Sequence, residues 1–94
     1  MNVEQYAKDR DAAIIDAVMN DKWDKARQFC KKYDAEIPAN ETVFKVGIYK
    51  AAQYCVNIPE EVRVKAMCKC MKMGFNPLIR PFEGGNNDTR RSNL

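Results

Sequence analysis

The sequence predicts an all-α fold: one domain of four helices, then an extended proline-containing C-terminal arm and a polar tail. Three observations predict it. Apolar residues recur at helical spacing in four stretches. Capping and breaking residues separate those stretches: Asn20-Asp21, Pro38 to Asn40, and Asn57 to Pro59. After Gly74 the chain reads F-N-P-L-I-R-P-F and then E-G-G-N-N-D-T-R-R-S-N-L, proline-spaced apolar residues followed by almost none. Residues 1–82 therefore form the helical domain with its arm, and residues 83–94 the flexible polar tail.

The first helix is expected from Val3 to about Met19, because steps of about 100° gather Val3, Tyr6, Ala7, Ala13, Ile14, Ala17 and Val18 on one face. Arg10 is the one polar residue central to that face. It is expected to snorkel to solvent or pair with a carboxylate on a neighbouring helix, or else to offer an anion or partner contact in a groove. Asn20 or Asp21 caps a second helix, Lys22 to about Tyr33, whose inward face is Trp23, Ala26, Phe29, Cys30 and Tyr33. Pro38 breaks the period and Asn40 caps a third helix, Glu41 to about Val56. Its inward face is read as Val43, Phe44, Gly47, Ile48, Ala51, Ala52, Tyr54 and Cys55, which turns Lys45, Tyr49, Lys50 and Gln53 outward. Gly47 costs about 1 kcal/mol against alanine inside a helix, so a close helix crossing is expected there. Pro59 opens the fourth helix with Glu60 and Glu61 in its first turn, and Gly74 ends it with Phe75 folding back. The entries I-P-A-N-E and I-P-E-E-V share an Ile-Pro step, which hints at two related helical hairpins. In the arm, Phe75, Leu78, Ile79 and Phe82 are expected to pack along the bundle. The main core is expected to hold Tyr6, Ile14, Ala17, Trp23, Phe29, Cys30, Phe44, Ile48, Ala51, Cys55, Ala66 and Cys70.

At 94 residues the chain has room for one modest core and little room for a deep active-site cavity. A net charge of +3 permits an acidic partner without demanding one. The charged start M-N-V-E-Q-Y-A-K-D-R-D lacks a signal-peptide core, and no apolar run approaches a membrane span, so a cytoplasmic location without membrane contact is expected.

Cys68 and Cys70 stand one residue apart among Met67, Met71 and Met73. A helix separates such a pair by about 200°, onto opposite faces, where they cannot share an ion. With no histidine, and with Cys30 and Cys55 on apolar faces, the cysteines read as small hydrophobes, and no metal or other cofactor is expected. The absent histidine also removes the usual general base. No paired acids, phosphate loop or nucleophile elbow appear, so the chain is not expected to be an enzyme and no catalytic residue is assigned.

The fourth helix carries the most informative pattern. Glu61, Lys65, Lys69 and Lys72 share one narrow stripe, and the apolar residues fill an arc of roughly 240°, against the 100° or so that a surface helix needs. Either the arm covers one flank, or Val64, Cys68 and Met71 form an exposed patch suited to a partner or to a homodimer through this helix.

The stretches V-F-K-V-G-I-Y-K-A-A-Q, I-P-E-E-V-R-V-K-A-M and M-G-F-N-P-L-I resemble small all-helical proteins encoded by phages and prophages of gut-type Firmicutes. The likeness covers roughly residues 20–82 and contains no functional signature, so it transfers no residue roles. It implies a stoichiometric inhibitor of host defence, of the anti-CRISPR kind, acting on a protein or nucleoprotein surface. The resulting expectation is a non-catalytic protein-binding module with partner contacts at Lys45, Tyr49, Lys65, Lys69, Lys72, Arg90 and Arg91. The alternative is a helix-turn-helix-like regulator in direct contact with nucleic acid. Glu60 and Glu61 weigh against it, because they would meet phosphate at the tip of the recognition helix.

Overall fold

A computed structural model describes residues 2–78. They form four helices: α1 (Val3–Asn20), α2 (Trp23–Lys32), α3 (Glu41–Ala52) and α4 (Glu60–Lys72). The described part is thus the all-α four-helix fold that the sequence predicts. The most extensive packing lies within two hairpins, α1 with α2 and α3 with α4, and α1 also packs on α3 and α4. Among the described residues no helix is long and apolar enough to cross a membrane. The arm from Ile79 onward and the tail with Arg90 and Arg91 lie outside the described residues.

Side-chain caps open two of the helices, and residues in the left-handed region close three. Asn2 caps α1 by accepting from the Gln5 amide at 3.1 Å, and Asn40 caps α3 by accepting from the Val43 amide at 3.1 Å. Asn20 and Asp21 do not cap α2, which begins after Lys22 without a side-chain cap. Asp21 instead takes φ 55° and closes α1, its amide donating to the Ala17 carbonyl at 3.1 Å. Asp34, also at φ 55°, ends α2 in a Schellman turn in which the Ala35 amide reaches the Cys30 carbonyl at 2.8 Å. Gly74 does the same for α4 at φ 90°. Its amide meets the Met71 carbonyl at 2.9 Å, and the Phe75 amide meets that of Cys70 at 3.2 Å. Pro59 precedes α4 as its N-cap and is not its first residue.

The core runs through all four helices. Ile14, Ala17 and Val18 of α1 meet Trp23, Ala26 and Cys30 of α2, Phe44, Val46, Tyr49 and Ala52 of α3, and Val62, Ala66 and Cys70 of α4. Cys55 and Ile58, in the turn before α4, close it. Trp23 ties the hairpins together, its ring 6.1 Å from Phe44 and 5.6 Å from Tyr49 in edge-on contacts.

Helix α3 departs from expectation in two ways. It stops at Ala52, and residues 53–58 turn back through i+3 bonds such as Tyr54 to Ala51 and Ile58 to Cys55. Arg63 fastens this turn by donating to the carbonyls of Ile58 at 3.0 Å and Val56 at 2.9 Å, while Gln53 donates to the Arg63 carbonyl at 3.0 Å. The helix is also rotated about its axis relative to the predicted face. Val43 is exposed, Gly47, Ile48 and Ala51 are half-buried, and Val46 and Tyr49 are buried. Gly47 marks no close crossing, because a methyl group added there would touch nothing within 4 Å. The arm's entry lies partly open too: Phe75 is 41% and Leu78 63% exposed, with only Pro77 buried between them.

Candidate functional site

The five expected contact residues that lie among the described residues, Lys45, Tyr49, Lys65, Lys69 and Lys72, do not form one surface. Tyr49 is a correction. It is 5% exposed and belongs to the core, where burial pushes its phenol pKa up. Tyrosine has an apolar ring with one polar tip, so α3 can bury it beside Trp23 as readily as a phenylalanine. Lys45 is half-buried, its ammonium 5.3 Å from the centre of the Trp23 ring, a cation–π contact that holds it against the fold.

The lysine stripe of α4 divides as well. Lys69 Nζ donates to the Val18 carbonyl at 2.7 Å and to Asp21 Oδ1 at 3.3 Å. It reaches across to the C-terminus of α1, where unpaired carbonyls and the negative end of the helix dipole attract a cation. Lys65 and Lys72 remain exposed on the outer side of α4.

Beside those lysines the outer side is apolar. Val64 is 51% and Met71 60% exposed, and Cys68 is exposed as well. Cys70, two residues from Cys68, is fully buried on the core side, so the predicted opposition of the two thiols holds. Burial pushes the thiol pKa of Cys30, Cys55 and Cys70 up. Beyond Met71 the surface opens into a hollow of roughly 570 Å³, lined by Met67, Met71, Gly74, Phe75, Asn76, Pro77 and Leu78. The Tyr54 hydroxyl donates to the Leu78 carbonyl and fastens the far wall of this hollow to the end of α3. Sequence reasoning found the Val64–Cys68–Met71 patch but missed the hollow. The hollow depends on where the residues after Gly74 turn, which periodicity does not report.

Two other constellations are structural in geometry. Asp9 accepts from Gln5 at 2.8 Å, Lys32 at 2.8 Å and the Tyr33 hydroxyl at 2.6 Å. The Lys32 ammonium first, then the Tyr33 hydroxyl and the Gln5 amide, lower its pKa to about 2. The cluster joins α1 to α2 beside the tilted and edge-on ring contacts among Tyr6, Phe29 and Tyr33. Arg10 pairs within its own helix, with Asp11 at 3.1 Å, and among the described residues no salt bridge joins it to a neighbouring helix. It rims a small apolar hollow of roughly 180 Å³ over Ile14, Cys30 and Ile48. Among the described residues no group of three or more Cys, Asp or Glu side chains converges as a metal site would require.

The chain matches no protein-family model, no curated protein and no solved structure.

Proposed function

We propose that this protein is a non-catalytic binding module that works by occupying the surface of another protein, and that the outer side of α4 is its contact face. The observation that carries this reading is that α4 is apolar on two opposite sides. Val62, Ala66 and Cys70 face the core, while Val64, Cys68 and Met71 stay exposed beside Lys65 and Lys72. A helix needs only its inner side to fold, and an exposed apolar strip with a charged rim is the usual anatomy of a protein interface. The adaptable side chains of Met67 and Met71 suit an irregular partner. The resemblance to small phage-encoded helical proteins gives the reading its specific form, a stoichiometric inhibitor of a host defence complex in the host cytoplasm. No observation favours the nucleic-acid alternative. Lys45 and Lys69 are engaged within the fold, and Glu60 and Glu61 stand exposed at the tip of α4.

The test is affinity capture from nuclease-treated host lysate with three baits: the native chain, Met71→Asp, and Val3→Asp as a control at an exposed site on α1. The expected result is a protein retained by the native chain and the control and lost with Met71→Asp. That protein, once purified, should then bind the native chain in a fixed ratio. Equal retention by all three baits overturns the placement on α4. Retention that disappears with nuclease overturns the protein-surface reading.

A further inference from the structure

The spacing on the outer side of α4 is more specific than an apolar patch. Val64, Cys68 and Met71 follow one another at steps of four and three, the seam of a helix that packs against another helix, and Glu61 extends the seam by one step toward the N-terminus. Charge along the helix is polarised: Glu60 and Glu61 in the first turn, Lys69 and Lys72 in the last.

We propose that this face binds a second copy of the chain, with the two α4 helices antiparallel about a two-fold axis between Ala66 and Met67. The proposal rests on the reading of the outer side of α4 as a binding surface and names its occupant. A two-fold interface must be complementary to itself, and three features meet that demand. The antiparallel register sets Glu61 of each copy against Lys72 of the other, two ion pairs per dimer, and opposes the helix dipoles. It seats Cys68 against Val64 and the stem of Lys65 of the second copy, so the strip is apolar along its middle, with the two exposed Lys65 ammonium groups at its edge near the axis and the Glu61–Lys72 pairs at both ends. It also runs the loop end of each α4, near which Val56 is 80% exposed, toward the end of the other helix that carries the hollow lined by Met71, Phe75 and Leu78. A parallel pair would oppose Glu61 to Glu61. A uniformly acidic foreign surface would suit Lys65 and Lys72 but repel Glu60 and Glu61. The complement to a helix acidic at one end and basic at the other is that same helix reversed.

The helix is only about 20 Å long, so the interface is small and the dimer belongs to the weak, reversible class. Sedimentation velocity of the full chain over a concentration series is expected to show a monomer–dimer equilibrium. Protection of Cys68 from maleimide should rise in step with the dimer fraction. Glu61→Lys and Lys72→Glu should each weaken association by about tenfold or more, because each sets like charges together, and the double swap should restore it. Circular dichroism confirms that each variant keeps its helices. The proposal is overturned by a monomer at every concentration, whether Cys68 reacts freely or is shielded by the chain's own residues 79–94. It is also overturned by a dimer that the single charge reversals leave unchanged, or one that the double swap does not restore. A monomer whose capture of a foreign protein depends on Met71 sinks the dimer and leaves the proposed function standing. A dimer that captures nothing does the reverse.

Discussion

Replacing Lys69 with methionine keeps the apolar stem and removes the ammonium that joins α4 to the end of α1. The group lost makes a 2.7 Å bond to the Val18 carbonyl and a 3.3 Å contact with Asp21. A hydrogen bond from a charged donor contributes about 1.5–3 kcal/mol when well buried, and a cation at a helix C-terminus about 0.3–1 kcal/mol. The Lys69 side chain is 26% and Asp21 72% exposed, so solvent screening removes most of the Asp21 share. The carbonyl share persists, because Val18 itself is fully buried. A loss of about 1–2 kcal/mol results, which for a domain of this size lowers the melting temperature by about 5–10 °C. Lys65→Met and Lys72→Met remove exposed ammonium groups from the same stripe and should each change stability by no more than about 0.5 kcal/mol. Thermal melts of the three variants, followed by circular dichroism at low protein concentration and in moderate salt, make the comparison. Equal melting temperatures for Lys69→Met and Lys65→Met would refute the assignment of Lys69 as the cap of α1.

Tyr49→Ala should cost about 3–5 kcal/mol, the range for emptying a buried aromatic site, and urea titration would show it as a large fall in midpoint; a fall typical of a surface change would return Tyr49 to the outside of α3. Asp9 has a folded pKa of about 2, below its ordinary value, so its contribution is complete above the ordinary carboxylate range and is lost as pH falls toward about 2. The melting-temperature gap between the native chain and Asp9→Asn should therefore be constant near neutrality and close in acid, and a gap that does not change down to the acid limit would contradict the Lys32–Tyr33–Gln5 cluster. Two alanine substitutions should have opposite signs. Gly47→Ala meets nothing and should stabilise by up to about 1 kcal/mol, whereas Gly74→Ala must hold φ 90° and should destabilise by about 1 kcal/mol or more. Chemical denaturation of both variants checks the pair.

The fold class was legible because three of the four helices carry their core face in residues of one chemical kind. Ile14 and Ala17, Trp23 with Ala26 and Cys30, and Ala66 with Cys70 are apolar throughout, so the helical period alone locates the inner side. Helix α3 misled because its buried side includes Tyr49 and runs close to Lys45, long apolar bodies with polar tips. A hydropathy pattern scores the tip, while packing against Trp23 uses the body. The more apolar half, Val43 with Gly47, therefore looked like the core and lies outside it. Helix ends followed the same logic. Asn40 caps through its own side chain and was readable, but Asp21 ends α1 by taking a left-handed backbone conformation, and a residue name does not announce that.

The candidate face shows the same division between what a pattern contains and what only three dimensions decide. That α4 is apolar over too wide an arc follows from its period, and so does the opposition of Cys68 to Cys70. That one of its three lysines is structural does not, because Lys65, Lys69 and Lys72 have equal standing on the stripe. Lys69 differs only because α1 ends beside it, 51 positions earlier in the chain. Once Lys69 is bound to α1 and Tyr49 is in the core, the exposed lysines of the α4 stripe reduce, among the described residues, to Lys65 and Lys72 beside an apolar strip, with Glu60 and Glu61 at its far end. A contact face of that kind gains its strength from apolar burial and its register from the charges at its two ends. Changes at Val64 or Met71 should therefore weaken association, while changes at Glu61 or Lys72 should decide which partner, and which orientation, the helix accepts.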